Sequence, residues 1–590
     1  TAAPDHPMAR ALRARIDFDR TRDGTAALAV YDALLSPAGR ERLAREEQAE
    51  VLASRGQALF ARGSVTEARA AYDEALKLDP QSVLALVGQG DMLQAEGRST
   101  EALARYEGAG QRDPRNVRAL VGRARAKIAL ERLADAKGEL TKARETQPDR
   151  WEILYWLASA ESALANKPVA EKLMLAAIEK VDAKDHDAVL PYVGLARLLA
   201  SVGRAAEAEA KLAEAQKKLP PSGLLSRALG EVAEGQTKYD QALVHYGKAL
   251  ERDPKDLAAR FRLGVTLRKK GDLAAAGEAL DKVSAVDKDY PGVALERGLL
   301  FEASGNTEGA LEQFRAALKA APNDPDLQLR VGASLVLVHR PDEAIVELKK
   351  VLEQRPTSAE AHHFLGRAYM QKGGSSEADG LRELKRAVEL DGNRAEYHLY
   401  VGWAANDAIP WQAGLAQSSI EKALSLDKNL AEALWQKGVI ALRQRAVDDA
   451  GRELKKALAQ KPGLVEVYAS LAELHEVKND NKGALAAWAK AMTASRVRPI
   501  WRYQYGKLLV ENGKAAEAQK QLVQAWEEAQ LAEDRSPWTA KSRFYLAEAL
   551  RKLGQKEAAA EHYRGFLELA PGSSPERSDA LSALASLGRK

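Results

Sequence analysis

The sequence contains no cysteine among its 590 residues. Disulfide bonds, thiolate metal sites and cysteine nucleophiles are therefore excluded. The absence favours an oxidising, extracytoplasmic compartment, where stray thiols are a hazard, although low cysteine usage in the source organism would explain it equally well. The chain also lacks any run of about eighteen apolar residues, so we expect no membrane-spanning helix.

The chain has no large excess of charge of either sign. Its 88 Lys and Arg residues nearly balance 84 Asp and Glu residues, which leaves a formal charge of +4. Nucleic-acid binding needs a basic patch, and this even mixture predicts no nucleic-acid partner. Phenylalanine is scarce, whereas Ala, Leu, Glu, Lys and Arg dominate, a composition that indicates a helix-rich protein.

The beginning of the chain and its composition also bear on its origin. The sequence starts at Thr1, without an initiator methionine or a signal-like apolar stretch, so we expect a processed or excised fragment without its targeting segment. The Ala- and Arg-rich style is typical of a high-GC bacterium.

Motifs that carry chemistry are missing as well. The chain has no Gly-rich phosphate loop, dinucleotide fingerprint or nucleophile elbow. His475-Glu476 opens like a zinc-protease motif, but Asn479 occupies the position of the second imidazole. His362 and His363 are neighbours on a predicted helix and point about 100° apart, which makes them a poor metal pair. We therefore predict no metal, no cofactor and no enzymatic activity.

What the sequence does contain is a repeat. Prolines recur at intervals of 34 residues in three series, which are Pro80, Pro114 and Pro148; Pro220 and Pro254; and Pro322 and Pro356. Each proline closes one pattern, which in the segment starting at Val83 reads Gly90, Leu93, Ala102, Tyr106, Ala109 and Pro114. Small residues at the eighth and twentieth positions let two helices approach closely. The aromatic at the twenty-fourth position fills the contact with the next unit, and proline ends the second helix.

This pattern resembles the tetratricopeptide repeat superfamily, whose unit is a 34-residue helix-turn-helix. The resemblance implies an all-α solenoid of about 15–16 repeats in a right-handed superhelix. The predicted units begin near residues 49, 83, 117, 151, 189, 223, 257, 291, 325, 359, 395, 431, 465, 499 and 540. Ala27, Tyr31 and Leu34 indicate a degenerate unit before them. Residues 574–587 predict a capping helix with a polar face carrying Glu576, Arg577 and Ser578.

The chain divides, on this reading, into four parts. They are a degenerate repeat with capping helices at 1–48, the N-terminal array at 49–356, a C-terminal array with irregular loops at 357–572, and the cap at 573–590. Insertions interrupt the period at 182–188, 373–380, 405–413 and 527–538. Solenoids tolerate insertions in their loops, but three of the four follow residue 370, where they are also placed to shape a binding surface.

The resemblance implies that the first helix of each repeat, helix A, lines a concave groove with its second, fifth, ninth and twelfth positions. In the C-terminal array the candidate groove residues are Glu360, His363, Arg367, Glu396, Trp403, Glu432, Trp435, Glu466, Tyr503 and Phe544. Aromatics flanked by carboxylates suit a peptide that carries apolar anchors and Lys or Arg. Glutamate in the first turn of a helix is also favoured by the helix dipole, whatever the partner.

The N-terminal array predicts a second, basic groove with Arg118, Arg125, Arg197 and Arg227, but not the Lys/Asn/Arg clamp by which some family members grip a carboxylate. The predicted function is a protein-interaction scaffold in a bacterial envelope, secretion or motility assembly. The alternatives are a substrate-recruiting arm of a larger enzyme, such as a glycosyltransferase or kinase, and a glycan- or peptidoglycan-binding array. The sequence does not indicate the partner's identity or whether the array self-associates.

Overall fold

The computed structural model describes residues 6–21, 24–494, 497–531 and 536–588. These residues form 34 α-helices and no β-strand, and the chain divides into two compact units, Thr1–Ser304 and Gly305–Lys590. The helices of the first unit are α1 Pro7–Thr21, α2 Gly24–Leu34, α3 Pro37–Arg40, α4 Arg45–Ala61, α5 Val65–Leu78, α6 Val83–Ala95, α7 Ser99–Arg112, α8 Val117–Ala129, α9 Leu133–Thr146, α10 Trp151–Ala163, α11 Lys167–Lys180, α12 Val189–Ser201, α13 Ala205–Lys218, α14 Gly223–Gly235, α15 Tyr239–Arg252, α16 Leu257–Lys270, α17 Leu273–Ser284 and α18 Val293–Ala303.

The second unit continues the same alternation of first and second repeat helices. Its helices are α19 Thr307–Ala320, α20 Pro325–Leu337, α21 Pro341–Gln354, α22 Ala359–Lys372, α23 Glu377–Leu390, α24 Ala395–Asp407, α25 Ala413–Leu426, α26 Ala431–Arg443, α27 Val447–Gln460, α28 Val465–Val477, α29 Asn481–Ala491, α30 Pro499–Glu511, α31 Ala515–Leu531, α32 Pro537–Lys552, α33 Lys556–Leu569 and α34 Glu576–Leu587.

The helix boundaries follow the repeat. Twelve of the fifteen predicted starts are the first residue of a helix, and the helices of the other three units begin at Arg45, Val293 and Pro537. In one repeat the Ser82 hydroxyl caps α6 by accepting a hydrogen bond from the backbone N–H of Ala85. At the other end of the repeat, α7 stops immediately before Asp113-Pro114, because proline cannot continue a helix.

Glycine and tyrosine provide the close packing within and between repeats. The Tyr106 side chain is fully buried between Gly90 of its own repeat and Gly122 of the next. A Cβ atom on Gly90 would lie 2.6 Å from the Tyr106 ring, and one on Gly122 would lie 2.4 Å from it. The space for the aromatic at the twenty-fourth position therefore exists only because small residues face it from both A helices.

The two ends of the array are also helical. The degenerate unit predicted near the N-terminus contains α1 and α2, which pack on each other, and Ala27, Tyr31 and Leu34 are buried there. At the C-terminus, α34 occupies the predicted cap, but its polar residues do not simply face solvent. Glu576 forms an ion pair with Lys541 at 2.7 Å, and the Arg577 guanidinium donates to backbone carbonyls at the end of α33.

The insertions form short ordered elements where the structure describes them. Residues 182–188 contain a 3₁₀ turn, His186–Ala188, whose capping residue Asp185 accepts a hydrogen bond from the indole of Trp151 at 3.1 Å. Residues 373–380 contain the 3₁₀ turn Gly374–Ser376. The insertion at 405–413 leaves Ile409 93 % exposed. Of the insertion at 527–538, residues 532–535 lie outside the described residues.

The predicted division of the array at residue 357 follows irregularity in the sequence, whereas the two compact units are separated after Ser304 on the basis of internal packing. The functional boundary at 357 stays a prediction.

Candidate functional site

The candidate site lies on the A helices of the second unit. Helices α22, α24, α26 and α28 are consecutive A helices, and each contacts the next. We call the face that they share, away from the second helices of their repeats, the A-helix surface. Because neighbouring A helices are side by side, residues at equivalent repeat positions form rows across this surface.

The fifth-position residues do not offer free surface, contrary to the sequence-based expectation. His363, Trp435, Tyr503 and Phe544 are only 1 %, 7 %, 5 % and 6 % exposed. The His363 ring stacks on Tyr397 of the next A helix at a centroid distance of 4.6 Å, and the Trp435 indole N–H donates to the Ser470 hydroxyl, 2.9 Å away. These side chains therefore join successive A helices beneath the surface, and their contribution is to packing.

Two half-buried aromatics at other positions provide the surface instead. The rings of Tyr400 and Trp403 are stacked, with centroids 5.6 Å apart and planes inclined by 16°. Trp403 meets the buried Trp435 edge-on at 5.1 Å, so the pair is anchored from below. The Arg367 guanidinium carbon lies 4.3 Å from the centroid of the Tyr400 ring. We call Tyr400 and Trp403 the aromatic platform.

Three second-position glutamates from successive A helices surround this platform. Glu396 forms an ion pair with Arg367 at 3.2 Å, and Glu432 forms one with Lys461 at 2.6 Å. Among the described residues Glu466 has no ion-pair partner. Burial raises the pKa of the Tyr400 hydroxyl and Arg367 lowers it, while the charges of Glu396, Glu432 and Glu466 raise it further. All three carboxylates therefore act on one phenol.

Two further carboxylates extend the acidic character of the surface. Burial raises the pKa of Asp407, although its hydrogen bond from the Trp403 indole, at 3.0 Å, and the charge of Arg498 oppose the rise. Burial and the neighbouring Glu476 raise the pKa of Glu473, and the charge of Arg498 lowers it. The charge of Arg498 thus partly offsets the rise in the pKa of both carboxyl groups.

The structure brings most of the predicted residues together, but not all of them. Trp403 is part of the platform, with His363 and Trp435 beneath it. The other residues of the set that lie around it are Arg367, Glu396, Glu432 and Glu466. Glu360 is exposed near the start of α22. Tyr503 and Phe544 belong to a separate aromatic cluster, where Tyr503 contacts Trp538 at 5.9 Å and Phe544 contacts Phe566 at 5.3 Å.

Tyr400, Asp407 and Glu473 were not predicted. Tyr400 and Asp407 occupy the sixth and thirteenth positions of their repeat, outside the four positions that the family geometry assigns to the groove. The sequence does carry a signal for Tyr400, because Tyr397, Tyr400 and Trp403 follow at intervals of three on one helix face.

The four arginines predicted to line a basic groove in the first unit all lie beside carboxylates. Arg118 and Arg125 both lie beside Asp91, at 3.2 and 3.5 Å, and Arg197 binds Glu231 through two hydrogen bonds of 2.8 and 3.0 Å. Arg227 forms an ion pair with Asp256 at 2.6 Å. Each guanidinium has a carboxylate beside it, with Arg118 and Arg125 sharing Asp91, and a basic groove in the first unit stays a prediction.

The part of the chain that the structure describes contains no grouping of His, Cys, Asp and Glu suited to a metal ion. Nor does any helix within the described ranges have the length and apolar character needed to cross a membrane.

Comparisons with known proteins give a consistent family. Two models of the tetratricopeptide repeat match, one at residues 93–161, 233–297 and 335–400, the other at 17–83, 54–117, 278–325, 295–337 and 503–574. The chain is similar to a peroxisomal targeting signal receptor of Candida glabrata, with 34 % identity over 17 % of this chain and 16 % of the relative. It is also similar to the cellulose synthase operon protein C of Xanthomonas axonopodis pv. citri, with 26 % identity over 60 % of this chain and 26 % of the relative.

These relatives are matched over only a minor part of their own length. Among solved structures, the Cut9 and Hcn1 complex of the APC/C aligns with a TM-score of 0.42 and 13 % identity, over 80 % of this chain and 96 % of the other. The family models match most of the chain, from the N-terminal helices to the repeat that precedes the cap. The chain therefore belongs to the tetratricopeptide repeat family.

Proposed function

We propose that the protein is a scaffold that binds a segment of a partner protein on the A-helix surface of its second unit. The observation that carries this proposal is the aromatic platform with Glu466 near it. Trp403 contacts Trp435, whose indole binds the Ser470 hydroxyl, and that hydroxyl donates to the backbone carbonyl of Glu466. Half-buried aromatics and a carboxylate without an ion-pair partner are the contacts that a partner segment uses at an interface. A bacterial envelope, secretion or motility assembly is the setting that we propose.

The relatives support a binding role. One of them is named as the receptor of a peroxisomal targeting signal, which makes recognition of another protein's segment a reasonable model for this chain. Helices in extended arrays contact only their neighbours and present long surfaces, which suits binding rather than an enclosed active site. A non-catalytic role in this part of the protein is consistent with that architecture.

Site-specific photo-cross-linking tests the proposal. A photoreactive phenylalanine analogue placed at Glu396 or Glu432, two second-position residues of the A-helix surface, is expected to capture the same partner in the native cell. The matched control places the analogue at Lys385, an exposed residue of α23 in the same repeat region. Equal capture from Lys385, or capture from Lys385 alone, would show that the A-helix surface is not the binding site.

A second candidate function is recognition of a polysaccharide. It is favoured by the similarity, over 60 % of this chain, to a protein encoded in a cellulose synthase operon. Aromatic faces such as those of Tyr400 and Trp403 also suit the apolar faces of sugar rings. Cellohexaose should then raise the melting temperature of the protein, and Trp403→Ala should remove the shift. Absence of a shift with the unaltered protein would exclude this candidate.

The remaining alternative, a recruiting arm of a larger enzyme, is settled by the full open reading frame. A catalytic domain in the same polypeptide as the repeats would favour it over the free scaffold.

A further inference from the structure

We infer that Glu466, together with the aromatic platform of Tyr400 and Trp403, is a binding site for an arginine side chain of a basic partner segment. We call these three residues the arginine site. The inference rests on the proposed function, since it specifies the partner chemistry of the same surface.

Charged residues at two fixed repeat positions pair between successive A helices. In the second unit Arg367, at the ninth position of its repeat, binds Glu396, at the second position of the next repeat, at 3.2 Å. In the first unit Asp91 and Arg118 occupy the same two positions with the charges exchanged, and they also lie 3.2 Å apart. The ninth and second positions of neighbouring repeats are therefore close enough to neutralise each other.

At three junctions of the second unit the second-position carboxylate follows a ninth position without a cation: Ala333 before Glu360, Trp403 before Glu432 and Val439 before Glu466. Glu432 binds Lys461 instead, and of the other two only Glu466 acts on the Tyr400 hydroxyl of the platform. Glu466 is the second-position residue of its repeat, and the ninth position before it is Val439. Val439 precedes Glu466 by the same number of residues as Asp91 precedes Arg118. A half-buried valine cannot neutralise a carboxylate, so Glu466 keeps a place where a cation from outside would fit.

The neighbouring cations of the described part of the chain do not pair with Glu466. Arg367 and Lys461 are already bound to Glu396 and Glu432, and Arg498 acts on Asp407 and Glu473. Behind the platform, His363 lies edge-on to Tyr400 at 5.1 Å. Burial lowers the pKa of His363, so its imidazole is neutral near pH 7 and does not compete as a cation.

The chain itself shows how a guanidinium is held at such a junction. Arg367 lies over the Tyr400 ring at 4.3 Å and over the Phe364 ring at 5.2 Å while it binds the Glu396 carboxylate. A planar cation gains from aromatic faces and a carboxylate at once, whereas an ammonium ion is a compact and strongly hydrated charge. The partly exposed Trp403 ring, which is stacked on Tyr400, and the Glu466 carboxylate offer the same two kinds of contact, so arginine is expected to bind better than lysine.

Fluorescence anisotropy with the full chain tests the site. The probe is a fluorescein-labelled peptide of about twelve residues that alternates glycine with arginine, and its counterparts carry lysine or the neutral isostere citrulline. Glu466→Gln removes the carboxylate, and Val439→Arg supplies the missing cation from within. Both are expected to weaken binding of the arginine peptide at least about tenfold, as for a lost charge-assisted contact at an interface.

Two matched variants distinguish the site from general attraction between opposite charges. Glu360→Gln makes the same change of charge at the same repeat position in an earlier repeat, and Val439→Leu enlarges the same side chain without a charge. Both are expected to keep binding within about twofold of the unaltered protein. Circular dichroism before each titration identifies any variant that fails to fold, and Glu466→Gln changes only one half-buried group.

The inference is overturned if Glu360→Gln weakens binding as much as Glu466→Gln, or if the citrulline peptide binds as well as the arginine peptide. Its failure is separate from failure of the proposed function. Cross-linking of a partner from Glu396, together with no effect of Glu466→Gln on any peptide, would keep the binding surface and reject the arginine site.

Discussion

The indole N–H of Trp435 donates a hydrogen bond to the Ser470 hydroxyl, 2.9 Å away, and this bond joins α26 to α28. The same indole receives the edge contact of Trp403 from α24. Trp435 therefore links three successive A helices, while Trp403 exposes part of its ring above it. Packing and proposed binding depend on adjacent but different aromatic side chains.

This division of roles predicts that two tryptophan substitutions lower the stability by different amounts. Trp435→Ala removes a ring that is only 7 % exposed, and we expect it to lower the free energy of unfolding by about 3–5 kcal/mol. Trp403→Ala removes a half-buried ring, and we expect a loss below about 2 kcal/mol, because less apolar area is buried there. Urea denaturation followed by tryptophan fluorescence and circular dichroism measures both.

Binding of the arginine peptide should depend more on Trp403 than on Trp435. Trp403→Ala should weaken binding of the arginine peptide under conditions where the variant is fully folded. A Trp403→Ala protein that binds normally but unfolds as readily as Trp435→Ala would contradict the assignment of Trp403 to the surface.

Two glycines one helix apart test the packing between the helices of a repeat. A Cβ atom on Gly230 would lie 2.6 Å from the buried Tyr246 ring, whereas nothing lies within 4 Å of one on Gly247. We expect Gly230→Ala to destabilise the repeat by about 1–3 kcal/mol through overpacking. Gly247→Ala lies inside α15 and should stabilise it by about 0.5–1 kcal/mol, because alanine favours the helix.

Hydrogen exchange of peptides from α14 and α15 reports these local changes better than a global midpoint, since repeat arrays unfold in segments. Faster exchange in both variants would mean that the space around Tyr246 is not what distinguishes the two positions.

The helical architecture could be predicted from the sequence because each repeat position has a fixed structural role. Gly90, Tyr106 and Pro114 each occupy positions whose physical roles are fixed by close packing and helix termination, and the structure places them accordingly. Helix starts were predictable to the residue in most units for the same reason.

The binding surface was less predictable, because exposure depends on neighbours in other repeats. His363 reads as a groove residue from its register, yet Tyr397 and Tyr400 of the next A helix cover it. Arg197 is predicted from its register to line a basic groove, yet the Glu231 carboxylate lies against it. Residues 34 or 37 positions apart decide these outcomes, and the spacing pattern alone does not specify which side chain covers which.

His363 predicts a dependence of stability on pH. Burial lowers its pKa below the usual 6.5, although the carboxylate of Glu396 opposes the shift and Arg367 and Arg394 support it. In the unfolded chain the imidazole takes up a proton near pH 6.5, whereas the folded protein resists protonation. Stability is therefore greatest above pH 6.5 and falls as the pH decreases, by up to about 2 kcal/mol at pH 5 from this residue.

His363→Phe keeps an aromatic ring against Tyr397 and should reduce the loss of stability between about pH 7.5 and 5. The control is His186→Gln, at an exposed position on the 3₁₀ turn, which should leave the loss unchanged. Urea midpoints at several pH values measure the difference. Parallel pH profiles for His363→Phe and the unaltered protein would show that His363 does not cause the effect.

Arg577 is expected to hold the terminal helix in place. Its guanidinium donates to the backbone carbonyl oxygens of Leu567 at 2.7 Å and Ala570 at 2.9 Å, which are carbonyls at the end of α33 without partners in that helix. Ala580 is the one residue of α34 that is fully buried among those described, and Ala583, Leu584 and Leu587 pack on the same core only in part, so apolar packing holds α34 less firmly than an inner helix. Arg577→Ala should therefore increase amide exchange in α34 about tenfold while exchange in α30 stays unchanged.

Arg564→Ala is the matched control, because it removes an exposed arginine from α33 itself. If the cap were held mainly by the ion pair between Glu576 and Lys541, then Lys541→Met would increase exchange in α34 more than Arg577→Ala. We expect the reverse, since Arg577 satisfies two otherwise unpaired carbonyls whereas the Lys541 side chain is about one-third exposed and its ion pair is screened by water.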